Sequence, residues 1–149
     1  MRGIAPTTPT VPTIPSYWRF PAEPASVMRA RHAVTAALPY AHRARLSDDL
    51  SLLASELVTN AVVHGPRPTE DHVVELILWP ADGHYWLAVS DGGGGLPALA
   101  SPGLGACGGR GLLLVDALSA AWAVVPRPVA GKSVVAGIRL DGASRLDEP

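Results

Sequence analysis

The chain holds a single cysteine, Cys107, in 149 residues. An internal disulfide is therefore excluded, and a reducing compartment, the cytoplasm, is the expected setting. Aromatic residues make up only 5% of the sequence, so a core has to be built mainly from Leu, Val and Ala. Lysine is scarce as well: Lys132 is the only one, and twelve Lys and Arg against thirteen Asp and Glu leave a formal net charge of -1. That balance lacks the basic surplus or stripe of a nucleic-acid binder, so no direct nucleic-acid partner is expected. No apolar run approaches the ~20 residues that a membrane-spanning helix requires. The opening stretch, MRGIAPTTPTVPTIPS, has one arginine but no continuous apolar segment, and a secretory leader is not expected there.

What is present is a hydrophobic fraction of 48%, enough for one domain with a sizeable core. Residues 1–16 are rich in Pro and Thr and read as a disordered tail, 17–141 as the folded domain, and 142–149 as a second tail. Tyr17 to Phe20 reads as a short edge strand. A helix is expected from Ala25, with Ser26 as its N-cap and Val27, Ala30, Val34 and Leu38 at helical spacing. A second helix is expected to open at Ser47, with Asp48 and Asp49 near its positive end, and to stop at Gly65-Pro66. HVVELILW and HYWLAVSD read as strands joined by the tight-turn pair Asp82-Gly83. A third helix is expected from about Gly111 to Ala120, and two further strands, AWAVVPR and SVVAGIRL, close the domain. The order is helix, helix, hairpin, helix, hairpin, which argues for an α+β layer with helices on one sheet face.

The second helix carries SELVTNAVVHG, residues 55–65. Glu56, Asn60 and His64 follow one another at intervals of four, so they stack on one helix face among apolar neighbours. Downstream, Asp91 sits where a strand runs out into DGGGGLPALASPGLGACGGRG. Glycines there let backbone N–H groups approach phosphate oxygens. The second glycine cluster, Gly108 to Gly111, opens a helix, and a helix N-terminus favours anions. Gly103 to Gly108 also fits the GxGxxG pattern of dinucleotide-binding folds. That fingerprint needs a strand immediately before it inside a βαβ unit. Here LPALASP precedes it, and too little chain follows for the remaining parallel strands. Trp79, Trp86 and Trp122 read as core or sheet-face packing, and the spacing of the histidines suggests no metal site.

Together these motifs resemble the GHKL (Bergerat-fold) ATPase superfamily. Glu56-x-x-x-Asn60 resembles its N box. DGGGGLP resembles the first glycine box, on Asp91, Gly93 and Gly95. GRGLLLVDAL resembles the second, on Gly109, Gly111 and Leu112, and GKSVVAGI resembles the closing segment, with Ser133 supporting the adenine pocket. Within the superfamily, ELVTNAVVHG and GRGLLLVDALSAAW are similar to the small bacterial anti-sigma factor serine/threonine kinases. The likeness spans about Tyr17 to Leu140.

The resemblance implies a two-layer α/β sandwich, a mainly antiparallel mixed sheet covered on one face by helices. It implies ATP and Mg²⁺ as cofactors. Asp91 would accept a hydrogen bond from the adenine amine, Asn60 would ligate Mg²⁺, and Glu56 would act as general base toward the attacking hydroxyl. His64 would lie near the phosphates or the lid base. Residues 97–108 would form a lid, and the amides around Gly109, Arg110 and Gly111 would hold phosphates. Lys132, following Gly131 in an apparent turn, receives no phosphate role. The implied protein substrate is an anti-sigma antagonist of the STAS type, with a sigma factor as a further partner and a homodimer as an assembly that family members often form. An alternative from another class is a nucleotide- or partner-binding module without kinase activity. A sensor histidine kinase is a third reading, disfavoured because only a single helix precedes the N box.

Overall fold

The computed structural model describes residues 15–64, 72–91, 108–127 and 131–140, with the side chains of His64 and residues 108–112 outside that description. Five strands form one sheet: β1 (Ser16–Pro21), β2 (Val73–Ala81), β3 (His84–Asp91), β4 (Ala121–Pro126) and β5 (Lys132–Arg139), in the order β1-β2-β3-β5-β4. Every pairing among them is antiparallel, where a mainly antiparallel mixed sheet was expected. Three helices complete the described fold: α1 (Ala25–Ala37), α2 (Tyr40–His64) and α3 (Gly108–Leu118). The expected disordered N-terminal tail lies outside the described residues up to residue 14, and β1 already begins at Ser16. The C-terminal tail, 142–149, also lies outside them.

Strand alternation divides the sheet into two chemically different faces. Val74, Leu76 and Leu78 of β2, Tyr85, Leu87 and Val89 of β3, and Val134, Ala136 and Ile138 of β5 are buried in one core with the helices. The opposite face carries Tyr17, Ile77, Trp79, Trp86 and Val135, none of them fully buried. Asp82 (φ 52°) and Gly83 (φ 74°) both take positive φ, the requirement of a type I′ turn. Gly83 also accepts a backbone hydrogen bond from Leu140, at 2.9 Å, which ties the hairpin tip to the end of β5. Trp86 lies across the sheet from Gly137. A Cβ on Gly137 would stand 2.6 Å from the indole ring, so the glycine makes room for the tryptophan.

The helices correct the expected boundaries. Ser26 is not the cap of α1, because the helix already starts at Ala25 behind Pro24. Its hydroxyl is fully buried and donates to the Pro21 carbonyl at 2.6 Å, joining the first turn to the end of β1. Nor does Ser47 open α2, which begins seven residues earlier, directly after Pro39. A proline is tolerated ahead of the first turn of a helix, and Leu46 extends the buried stripe of Leu50, Leu53 and Leu57 back across Ser47. Arg43, in that added segment, donates from Nε to the Leu38 carbonyl and from Nη2 to the Ala36 carbonyl, both at 3.1 Å. It thereby satisfies carbonyls at the end of α1. α3 starts at Gly108 and ends at Leu118, three residues before and two residues before the expected bounds respectively.

Leu46, Leu50, Leu53 and Leu57 of α2 are at most 1% exposed, and burying each contributes ~1.5–3 kcal/mol relative to exposure. This stripe holds α2 against β2, β3 and β5, and α3 packs on α2. Among the described residues, no helix is long and apolar enough to cross a membrane.

Candidate functional site

Asp91 ends β3 on the helix-facing side of the sheet and is 4% exposed. A carboxylate at such a depth is costly without charged or hydrogen-bonding partners. One partner is Lys132, the first residue of β5, whose Nζ lies 3.1 Å from Asp91 Oδ2. The two residues are directly opposite in the antiparallel register of β3 and β5, so both side chains emerge on the same face. The Lys132 side chain is 11% exposed. Its position is fixed from behind: Gly131 takes φ 90°, and its carbonyl accepts from the Arg127 N–H at 2.9 Å, closing the connection from β4.

Glu56 and Asn60 stand one turn apart on α2, half-buried beside Leu53, Leu57 and Ala61. Neither side chain is hydrogen-bonded or ion-paired to another described residue. The fit of these residues to their neighbours follows from the local sequence. Leu53, Ala54, Leu57, Val58 and Ala61 turn inward, which leaves Glu56 and Asn60 at the margin of the buried stripe. Two oxygen-bearing side chains at such a margin are available to a ligand while their helix stays anchored. His64 is the last residue of α2, and only its backbone is described.

Gly109, Arg110, Gly111 and Leu112 all lie in the first turns of α3. The backbone N–H groups of a helix's first turn have no intrahelical acceptors and carry the positive end of the dipole. Gly93, Gly95 and residues 97–107 of the expected 97–108 lid fall outside the described residues, and Gly108 is the first residue of α3.

Ser133, expected to support an adenine pocket, lies on the sheet face opposite Asp91. It pairs with Ser90, and the two Oγ atoms share a hydrogen bond at 2.5 Å on the face away from Asp91. The reason is the two-residue period of a strand: Lys132 and Ser133 must point to opposite faces. The residue that reaches Asp91 is thus Lys132, which is the first residue of β5 and not part of the turn expected there. The signal that could have found it is the register of β3 against β5, together with its standing as the chain's only lysine.

Two comparisons with known proteins bear on this arrangement. The profile of the histidine kinase-like ATPase domain family matches residues 20–136. A solved structure, the histidine kinase domain from the Erythrobacter litoralis EL346 blue-light activated histidine kinase, superposes with a TM-score of 0.54 at 25% identity. That match covers 81% of this chain and 62% of the other, so the chain spans less than two thirds of the domain it resembles. A comparison with curated proteins returns no match. An open antiparallel sheet with helices on one face is the α+β architecture of a GHKL-type ATPase, a kinase-like class that binds ATP. The profile runs from β1 into β5 and takes in every element that carries a candidate residue; this chain belongs to the histidine kinase-like ATPase domain family.

Proposed function

We propose that the chain is an ATP-dependent protein serine/threonine kinase. Its substrate is an anti-sigma antagonist of the STAS type, and a sigma factor is a second partner held according to the antagonist's phosphorylation. The observation that carries the nucleotide reading is Asp91, a carboxylate 4% exposed at the strand end that leads into the glycine-rich run. The finer assignment, to the anti-sigma kinases, is supported by the wording of ELVTNAVVHG and GRGLLLVDALSAAW.

Asp91 accepts a hydrogen bond from the exocyclic amine of adenine, the kind of directed polar contact that fixes orientation in an otherwise apolar pocket. The amides of the first α3 turn, around Gly109 to Gly111, hold phosphate oxygens. The donor set suits Mg²⁺. Asn60 offers a hard carboxamide oxygen, and Mg²⁺ is usually held by one or two protein oxygens with phosphates and waters completing the shell. When bound, Mg²⁺ neutralises charge that develops on the transferring phosphoryl group. Glu56, one turn from Asn60, orients the attacking hydroxyl and takes its proton as the new oxygen–phosphorus bond forms. The bond from the γ-phosphorus to the bridging oxygen breaks, and ADP leaves.

The test is transfer from radiolabelled ATP to a purified STAS-type antagonist, with the chemical stability of the product measured. Acid-stable label on a serine or threonine of the antagonist, lost in Glu56→Gln, is the expected result. Acid-labile label on a histidine would contradict the serine/threonine assignment and favour the chemistry named for the Erythrobacter protein.

A further inference from the structure

The Asp91–Lys132 pair offers more than charge balance. An ammonium carries three N–H donors, and the salt bridge to Asp91 uses one of them. Among the described residues Lys132 has no other acceptor. Its side chain is 11% exposed, and buried donors are ordinarily matched by acceptors. An acceptor, Asp91 Oδ2, and a cationic donor, Lys132 Nζ, therefore sit 3.1 Å apart on one face at the same end of the sheet. Both are held by paired strands, and Lys132 is fixed by the turn at Gly131 as well.

An adenine edge shows the complementary pattern. Its exocyclic amine donates, and the ring nitrogens N1 and N7, one on each side of the amine position, accept. We infer that Lys132 is a base-reading residue of the nucleotide site, donating to the ring nitrogen beside the amine that Asp91 accepts. This rests on the reading of Asp91 as the base acceptor, and adds a second contact from a residue of opposite character. A lone carboxylate selects only for a donor at the purine 6-position. The pair selects for a donor flanked by an acceptor, so the ring nitrogen becomes part of what the site recognises.

The experiment is calorimetric titration of the full chain with ATP, 1-deaza-ATP and 7-deaza-ATP. Each analogue replaces one ring nitrogen by C–H and leaves the amine and triphosphate in place. One of the two analogues is expected to bind about tenfold or more weakly than ATP, the size of losing a hydrogen bond to a charged donor. In Lys132→Met, which keeps the length of the side chain without a donor, that analogue and ATP bind alike. Lys132→Gln, which keeps an N–H donor, recovers part of the difference. The comparison of analogues on the unaltered protein needs no variant to fold. Equal affinity for ATP and both deaza analogues overturns the role of Lys132 while leaving the ATP site standing. A penalty of the same size in wild type and in Lys132→Met overturns it too. Failure of all three nucleotides to bind the unaltered protein overturns the nucleotide reading of Asp91 itself.

Discussion

Asp91 and Lys132 face one another across the β3–β5 pairing, joined by a salt bridge of 3.1 Å that is almost closed to solvent. A buried ion pair contributes little net stability against an apolar replacement, but removing one partner leaves the other charge less compensated. Lys132→Met is therefore expected to lower stability by about 3 kcal/mol. Changing Asp91 to Asn in the same chain should return much of that loss, a non-additivity expected of contacting residues. Urea denaturation of the wild type, both single variants and the double variant measures the cycle. Additive losses would contradict the pairing.

Glu56→Gln removes a base and keeps the shape and polarity of the side chain. The substitution is expected to reduce phosphoryl transfer by roughly 10²–10⁴-fold, the usual size of a general-base contribution. ATP affinity should stay within about twofold, since Glu56 touches the nucleophile and not the base or the triphosphate. Rates under saturating ATP, measured beside binding isotherms, separate the two effects. Wild-type rates in the variant would remove Glu56 from the mechanism.

Gly137 has its place because of Trp86. A methyl at Gly137 would stand 2.6 Å from a ring that is also held by a hydrogen bond from Trp86 Nε1 to the Ala81 carbonyl at 3.0 Å. The indole cannot yield without breaking that bond, and Gly137→Ala should cost about 1–3 kcal/mol, as overpacking commonly does. Adding Trp86→Val should relieve the clash, so that the alanine costs less in that background. Thermal melts of the four proteins give the comparison.

Tyr17 donates to Glu75 Oε2 at 2.5 Å, and Arg127 stands 3.5 Å from the other Glu75 oxygen. The hydrogen bond to Glu75, followed by burial and the Glu75 charge, holds the Tyr17 phenol above the usual tyrosine value of 10.0. A raised folded-state value favours the protonated phenol, so its contribution is complete below the tyrosine range of the unfolded chain. That contribution disappears as pH rises through the higher folded value. Alkaline absorbance titration should show Tyr17 ionising late in the wild type and earlier in Glu75→Gln. Burial delays Tyr85 in the same direction, and Tyr17→Phe separates the two signals.

Much of this fold was legible because the deciding interactions are local. Asp82-Gly83 announces its turn through the backbone conformations it tolerates, and the stacking of Glu56 on Asn60 follows from helix geometry alone. The start of α2 was not legible. Ser47, Asp48 and Asp49 form a good capping sequence, but Pro39 and the tertiary burial of Leu46 extend the helix past it. Ser26 failed as a cap for a related reason, since its hydroxyl is taken by the Pro21 carbonyl. The exchange of Ser133 for Lys132 beside Asp91 shows where sequence reading stops. Which of two adjacent residues faces the site depends on the register between distant strands, and a shift of one residue turns every side chain over.

The central claim is that Asp91 marks an ATP site. Calorimetric titration with ATP, with and without Mg²⁺, tests it most directly, beside an Asp91→Asn variant whose fold is verified by circular dichroism. The account predicts saturable binding by the wild type, weakened without Mg²⁺ and nearly abolished in the folded variant. No binding by the wild type at millimolar ATP, or equal affinity in the folded variant, would contradict it.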